Sequence, residues 1–243
     1  MLDALSPRTR MPLVEVLPVI AGGGFTQSLI VANHSLLYAG TLSAPPMRIT
    51  LTLRDEGGHE RFQETRTVAA GKTWRRELSS MLEADANGPL RIGSVTIVRA
   101  ASHAGFRGTT RPQTELIGPG GAAAVHSQAA RWNGGGEIVF DARPQGRRFL
   151  SFVNVEAQPL HLALRYPLPL GAQADTGSPR TTVALPAYGA ALVEIEAGSD
   201  DLAQADPAIG TPLCRVSWRG TGCYKAHAFN ADSALSRLSI DHL

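Results

Sequence analysis

Apolar and polar residues alternate over several short stretches of this chain, which is the period of a half-buried β-strand. In residues 47–53, Met47, Ile49, Leu51 and Leu53 fall on one face, and arginine and threonine occupy the positions between them. Residues 160–165 repeat the pattern with leucine at every second position. The same reasoning predicts further strands at 13–20, 137–141, 183–185 and 192–195.

Turn signals separate these stretches at intervals of about 8–12 residues, as in β-sandwiches. Gly57 and Gly58 follow the strand at 47–53, and glycine tolerates the positive φ that a tight reversal needs. Helix is scarce. Residues 79–86 and 199–205 are each predicted to form one or two helical turns, the second with Ser199 as its N-cap.

The order of these segments occurs twice along the chain. Residues 28–33 are echoed by 149–154, 47–53 by 160–166 and 65–71 by 181–189, and a proline–leucine pair opens a strand at 89–90 and at 212–213. Asn33 lies 93 residues before His126, and Asn154 lies 88 residues before His242; each of these histidines ends a short apolar run. A repeat of this length corresponds to one small domain rather than to a solenoid unit.

We therefore expect an all-β fold of two tandem antiparallel β-sandwich domains with very little helix. The first domain is predicted at 1–130, a glycine-rich linker at 131–136 and the second domain at 137–243. This arrangement resembles the immunoglobulin or fibronectin type III architecture. The second half lacks the Cys–Trp–Cys arrangement of antibody domains, so the resemblance is to the architecture and not to true immunoglobulin domains.

Composition and charge narrow the classes of function. The chain is 43% hydrophobic and 18% charged, as in globular proteins, and its formal net charge of +2 is too low for a nucleic-acid binder that works by bulk charge. No run of 18 apolar residues occurs, so we expect no transmembrane segment. The first ten residues lack the order of a secretion signal, which favours the cytoplasm without fixing the compartment.

The two cysteines are predicted to be free thiols. If residues 219–222 form a four-residue hairpin loop, Trp218 pairs with Cys223, and Cys214 lies about 13 Å from that pair along the ladder. A disulfide requires Cα atoms within about 7 Å, so a bridge needs an irregular structure here, which stays an alternative. Two cysteines without a C-x-x-C spacing predict no metal site.

His126 and His242 occupy matching ends of the two repeats. They could serve as a ligand or a pH-sensitive contact at the domain rim, or as structural residues at the edge of a core. Leu238 and Ile240 share the strand face of His242, which favours the structural role.

One basic pattern is a candidate binding surface. Arg99, His103, Arg107 and Arg111 recur at every fourth position, and glycines and a proline among them exclude a helix. In an extended chain this spacing places all four on one face, which could bind an anionic ligand such as an acidic sugar, a phosphate or a carboxylate-rich surface. The alternative is a solvated edge strand whose charges prevent unwanted strand pairing.

Arg131 and Trp132 form the second candidate, at the predicted domain boundary. An exposed tryptophan beside an arginine is typical of binding hot spots, and sugars stack on such rings. A tryptophan can equally fill the joint between two domains.

The chain contains no nucleophile elbow, P-loop, zinc-protease motif or dinucleotide fingerprint. We expect a non-catalytic protein without cofactors that acts as a binding or structural accessory subunit of a larger assembly, with protein partners. One alternative is a pair of carbohydrate-binding modules, against which the aromatic content of 6% argues. The other is an enzyme with an interdomain site that combines His126 with Asp141 or Arg131.

Overall fold

The computed structural model describes residues 12–33, 46–85, 88–100, 111–129, 135–141, 146–168, 180–196 and 213–242. These residues form an all-β structure, as predicted, with one 3₁₀ turn at Ser79–Leu82. The helix predicted at 79–86 is shortened to this turn, because Glu83 has a left-handed φ of 51°. The helix predicted at 199–205 lies outside the described residues. No helix in the described part of the chain is long and apolar enough to cross a membrane.

The strands fall into two halves. The first half contains β1 (Leu13–Ala21), β2 (Thr26–Ala32), β3 (Met47–Arg54), β4 (Glu60–Val68), β5 (Thr73–Glu77), β6 (Arg91–Ala100), β7 (Gln113–Gly118), β8 (Gly121–His126) and β9 (Gln128–Ala129). The second half contains β10 (Gly135–Asp141), β11 (Gly146–Asn154), β12 (Leu160–Leu168), β13 (Thr181–Leu185), β14 (Ala190–Glu194), β15 (Leu213–Gly220), β16 (Tyr224–Asp232) and β17 (Leu238–His242). All the strands predicted from alternation are present.

Each half consists of two antiparallel sheets with the same strand order. In the first half, sheet I has the order β5-β2-β7-β8 and sheet II the order β4-β3-β6-β1-β9. In the second half, sheet III has the order β14-β11-β16-β17 and sheet IV the order β10-β15-β12-β13. Apart from β9, every strand of one half has a counterpart at the same place in the other. The β-sandwich prediction is confirmed, and the immunoglobulin-like type stays a prediction.

The same asparagine stands after or at the end of the second strand of each half. Asn33 donates from Nδ2 to Val68 O at 2.9 Å, and Asn154 donates in the same way to Pro186 O at 2.8 Å. The backbone N–H groups of both asparagines donate, at 2.9 Å in each case, to the corner that joins the fourth strand of the half to the fifth. Each asparagine thus joins the corner after the second strand of its sandwich to the corner after the fourth strand.

The strand registers extend this equivalence through both sandwiches. Asn154 lies 121 residues after Asn33. When the strand pairings are followed outward from the two asparagine corners, residues at matching places in β1 and β10, and in β6 and β15, also differ by 121 in number. Arg99, for example, corresponds to Gly220. Residue pairs related in this way are called equivalent below.

Three apolar layers lie between the sheets, and at one edge of the molecule β8 of sheet I also contacts β17 of sheet III. The outer two layers are the cores of the two sandwiches. The middle layer joins sheet II to sheet III through side chains that include Val16, Ile20, Ile92, Phe149, Val153 and Phe229. The two halves are therefore packed against each other through a buried apolar interface.

Strand β1 shows the effect of this packing. Seven consecutive residues of β1 are buried, because one face lines the core of the first sandwich and the other faces sheet III. In the equivalent strand β10 only Phe140 is buried, and the other residues are exposed or partly buried. A strand buried on both faces carries a continuous apolar run, and β1 has the sequence Leu-Val-Glu-Val-Leu-Pro-Val-Ile-Ala.

Polar contacts fix the halves at the margin of the middle layer. The N–H of Ala190 donates to Glu56 O at 3.1 Å, and the Arg54 guanidinium lies 4.8 Å from the centre of the Tyr188 ring. Gly58 has a φ of 83°, and a Cβ there would lie 2.0 Å from Ala187 O. The β3–β4 turn of the first half thus receives the β13–β14 corner of the second.

The predicted linker at 131–136 differs from the structure at its end. Strand β10 already begins at Gly135, two residues before the predicted start of the second domain. Gly136 pairs with Trp218 of β15, and a Cβ at Gly136 would lie 2.4 Å from the indole. Gly135 and Gly136 therefore belong to a packed strand and not to a linker. The division of the chain into domains stays a prediction.

Candidate functional site at the end of the second half

Arg99 does not lie on an exposed face. Its side chain is 3% exposed, and Nε donates to Glu15 Oε2 at 2.7 Å. The other oxygen of Glu15 accepts from Ser127 Oγ at 2.8 Å. Placing Arg99 on a solvent face was wrong, because it shares the inner face of β6 with Val95 and Ile97, and the buried Glu15 balances its charge there.

The other predicted site residues are only partly described. Arg111 is exposed just before β7. His103, Arg107, Arg131 and Trp132 lie outside the described residues, so a binding role for them stays a prediction. The structure thus confirms no shared basic face for the first candidate surface.

The two landmark histidines end equivalent strands. His126 is half-buried at the end of β8, with Nδ1 3.3 Å from Ser127 O. His242 ends β17, where its backbone pairs with that of the fully buried His227. The two positions match as predicted. This match does not test whether the histidines bind a ligand, sense pH or serve only as structural residues.

The prediction of free thiols is confirmed, although a hairpin is not the reason. Cys214 is buried and Cys223 half-buried, and neither forms a disulfide. Strands β15 and β16 belong to sheets IV and III, so the chain between them crosses from one sheet to the other and forms no hairpin. Burial, followed by the hydrogen bond and charge of Glu156, raises the pKa of the Cys223 thiol, which therefore stays protonated near neutral pH.

A cavity of about 370 Å³ opens at one end of the second sandwich. It is called the end cavity below, and it lies between β10, the start of β11 and the end of β16. Its lining consists of Ile138, Val139, Phe140, Asp141, Gly146, Arg147, Arg148, Asn230 and Ala231. Apolar side chains of β10 form one wall, and Asp141, Arg147, Arg148 and Asn230 contribute polar and charged groups.

The equivalent place in the first half is occupied by a buried, hydrogen-bonded glutamine. Gln27, which is equivalent to Arg148, is buried; its Oε1 accepts from Ile20 N at 2.7 Å and its Nε2 donates to Pro18 O at 2.8 Å. Phe25 is equivalent to Gly146 and packs into the middle apolar layer. The second half has no side chain at 146, and this difference leaves room for the end cavity.

Two arginines border the end cavity in different ways. Arg148 is buried, and its Nε donates to the backbone carbonyl of Asp141. Arg147 forms a two-pronged pair with Glu194 through Nε at 2.7 Å and the terminal nitrogen at 2.6 Å. These hydrogen bonds lower the pKa of Glu194 and raise that of Arg147. The guanidinium also lies 5.1 Å from the centre of the Phe149 ring, so the rim of the cavity has a defined geometry.

The arrangement is suited to binding. Arg148 and Asn230, which are cross-strand neighbours, line the cavity together with apolar residues of β10, and such a combination of polar and apolar residues is typical of binding pockets. Within the described ranges, no cluster of three or more His, Cys, Asp or Glu side chains could hold a metal ion.

The neighbouring edge of sheet IV adds to this site. In the described part of the chain, β10 pairs with β15 on one side, whereas the equivalent β1 pairs with β6 on one side and β9 on the other. Val139, in the middle of β10, is 46% exposed. The sequence analysis predicted β10 but missed this site. The sequence did carry one signal of this site: Arg148 is a charged residue at an inward-facing position, two residues before the buried Leu150.

Comparisons with known proteins place the chain in no family. No protein-family model matches it, and no curated protein matches it. Solved structures that resemble it include a GH2 β-galacturonidase from Eisenbergiella tayi, with 11% identity and a TM-score of 0.24 over 95% of this chain and 35% of that one. A β-glucuronidase from Bacteroides uniformis has 10% identity and a TM-score of 0.24 over 99% of this chain and 27% of that one.

The pilus backbone protein of Streptococcus pneumoniae has 10% identity and a TM-score of 0.19, over 98% of this chain and 86% of that one. The chain spans about a third of the length of the glycosidases. All three TM-scores are below 0.5, so these likenesses carry no argument about function.

Proposed function

We propose that this chain is a non-catalytic binding and structural subunit of a larger protein assembly, and that it docks a partner protein through the end cavity and the edge of β10. The observation that supports this most is the difference between β1 and β10. In the first half, Val16 and Ile20 are buried against sheet III; the equivalent residues in the second half are the charged Glu137 and Asp141.

The packing of the two halves supports a structural role. A buried apolar layer and the contacts of Glu56 and Arg54 hold the halves in one orientation, so a partner meets a preformed surface. An open edge strand beside a side-chain cavity suits the addition of an extended segment, in which main-chain hydrogen bonds supply affinity and the cavity supplies specificity.

Affinity purification from the native host tests the proposal. We expect stoichiometric partner chains to co-purify with the tagged protein, and Val139→Asp to remove them, because a charge at the middle of β10 hinders strand addition. The matched control is Thr182→Asp, at an exposed position of β13 on the opposite edge of sheet IV. A wild-type protein that elutes alone, or partners retained by Val139→Asp, would contradict the proposal.

A further inference from the structure

Tyr188 has a backbone conformation that disfavours any side chain. It is the third residue of the turn at 186–189, where the last residue donates to the carbonyl of the first at 2.9 Å, and its φ is 56°. The corresponding turn of the first half, at 69–72, has the same hydrogen bond at 3.1 Å, and its third residue is Gly71 with a φ of 67°. Glycine is favoured there because a Cβ crowds a left-handed backbone. The second half therefore holds a tyrosine where the turn favours glycine.

The ring of Tyr188 is exposed and held in place. Its exposed fraction is 37%, and the Arg54 guanidinium, which lies 4.8 Å from the ring centre, also donates to Thr96 Oγ1 at 3.3 Å. The hydrogen bond from Ala190 N to Glu56 O fixes the turn on the first half. Residues in disfavoured backbone conformations cluster at functional sites, so an exposed aromatic ring presented in this way points to a ligand.

The outer face of sheet II continues from this ring. Thr52 and Thr50 precede Arg54 at alternate positions of β3, opposite Gln63 and Thr65 of β4. The two opposite threonine hydroxyls are 2.9 Å apart, and Gln63 Nε2 donates to Thr52 Oγ1 at 3.2 Å. Gln63 and Thr65 are exposed, and successive rows of opposite residues are about 7 Å apart. These five residues are called the polar face below.

The polar face keeps hydrogen-bonding capacity beyond its internal bonds. A hydroxyl has one donor and two acceptor sites, so the bond between Thr50 and Thr65 uses one donor and one acceptor of the pair. The bond from Gln63 to Thr52 uses one of two amide N–H groups. All groups of the face except Arg54 are uncharged. A ligand of this face therefore needs donors and acceptors but no charge.

A pyranose sugar has the chemistry that this site requires. The C–H groups on one side of its ring pack against an aromatic ring, and its hydroxyls donate and accept hydrogen bonds at once. Sites that combine an aromatic side chain with a few polar groups near the joint between two units are typical of small-ligand binding. An extended peptide instead suits the edge of a sheet, whereas the polar face is the flat surface of one.

We propose that Tyr188 and the polar face bind a neutral oligosaccharide. The tyrosine ring packs against one sugar, and Gln63 and Thr65 bond to the hydroxyls of the sugars that follow along β3 and β4. The site lies on sheet II and at the joint of the halves, away from the end cavity and the edge of β10. It is therefore a second binding site, beyond the proposed function.

Isothermal titration calorimetry with cellohexaose, xylohexaose and mannohexaose tests the inference. We expect at least one of the three to bind, with an affinity that does not depend on salt. Tyr188→Gly copies the turn of the first half, so it removes the ring without straining the backbone, and it should lower the affinity about tenfold or more. Tyr188→Phe keeps the ring and should keep the binding.

A matched pair of glutamine variants tests the polar face. Gln63→Ala should lower the affinity severalfold, because it removes an exposed amide from the face. Gln113→Ala makes the same change at an exposed position of β7, on sheet I, and should leave the affinity unchanged. Circular dichroism confirms that all variants are folded.

Three results would overturn the inference. The first is that no hexasaccharide binds, and the second is that wild type and Tyr188→Gly bind equally well. The third is tighter, salt-sensitive binding of hexagalacturonate, which would show that the site selects charge. Loss of co-purifying partner chains from Tyr188→Gly, without sugar binding by wild type, would assign the surface to a protein instead.

The proposed function stands or falls separately. Val139→Asp, at the edge of β10, should leave oligosaccharide binding unchanged. Oligosaccharide binding by a protein that captures no partner chain would support this inference and contradict the proposed function alone.

Discussion

The two halves close the same end of their cores by opposite chemistry. In the first half, Glu15 lies across from Ile97, and Arg99 forms a buried ion pair with Glu15. In the second half, the equivalent residues are Gly136, Trp218 and Gly220. There the indole occupies the space over Gly136 and packs edge-on against Phe152, with ring centres 5.9 Å apart.

This exchange shows what the repeat preserves. The strand order and the corners held by asparagine are the same in both halves, whereas the residues that close the end of the core differ. Buried ion pairs are often replaceable by apolar groups of similar volume, because desolvation of the charges offsets their attraction. The outer faces differ in the same way: the outer face of sheet II is covered at β1 by sheet III, and that of sheet IV carries charged residues that include Glu137, Arg215 and Arg219.

Removing one member of the ion pair is the largest expected effect. Arg99→Met leaves the buried Glu15 without its ion-pair partner, and we expect a loss of about 3–5 kcal/mol in the free energy of unfolding, measured with urea. Arg111→Met, at an exposed position, is the control and should cost no more than about 0.5 kcal/mol. The triple variant Glu15→Gly/Ile97→Trp/Arg99→Gly copies the second half and should regain most of the loss. If the triple variant regains none of the lost stability, the ends of the two cores are not equivalent.

The reverse exchange tests the second half. Trp218→Ile places the residue of the first half opposite Gly136 and leaves a cavity, because no ion pair is present to fill the end. We expect a loss of about 2–3 kcal/mol, less than for a tryptophan-to-alanine change, by the same urea measurement. A loss below about 0.5 kcal/mol would show that the indole does not close the core.

The smallest effect concerns Arg147 and Glu194 at the end cavity. The pKa of Glu194 is lowered from its ordinary value of 4.5 chiefly by the hydrogen bonds from Arg147. The pair therefore stabilises the fold fully above about pH 4.5 and loses this contribution as pH falls through the lowered pKa. Both side chains are 35% exposed, so solvent limits the contribution to less than about 1 kcal/mol.

Comparing Arg147→Gln with wild type from pH 3 to pH 7 gives the measurement. The stability difference should be constant near neutral pH and should shrink in acid. The control is Arg66→Gln, an exposed arginine that lies far from Glu194 along the fold, on β4. A stability difference between wild type and Arg147→Gln that grows in acid would contradict the conclusion that Arg147 lowers the pKa of Glu194.

Much of the fold follows from local patterns in the sequence. Alternation in residues 47–53 and 160–165 identifies half-buried strands, and the spacing of Asn33 and Asn154 identifies the repeat. The proline–leucine landmarks lie two residues out of step, since Leu213 is equivalent to Ile92 by register. Short apolar motifs identify a strand without fixing its register.

The site depended on contacts that local patterns do not specify. Spacing by four placed Arg99 on a common face, but its parity with Val95 and Ile97 places it towards the core. The packing of sheet II on sheet III had a signal in the continuous apolar run of β1, which is buried on both faces. The end cavity arises from residues far apart in sequence, such as Arg148 and Asn230, and only the register of β11 and β16 brings them together.

Thiol labelling at two equivalent positions tests the central claim most directly, namely that β1 is covered by sheet III in the first half and that Glu137 of the equivalent strand β10 is exposed in the second. The variants are Val16→Cys and Glu137→Cys in a background with Cys214→Ala and Cys223→Ser. Val16 is 1% exposed and the Glu137 side chain is 51% exposed. We predict that the thiol at 137 reacts at the rate of a free thiol and the thiol at 16 at least about 1,000-fold more slowly, limited by opening of the middle layer. Similar rates at both positions would contradict the packing of the two halves described here.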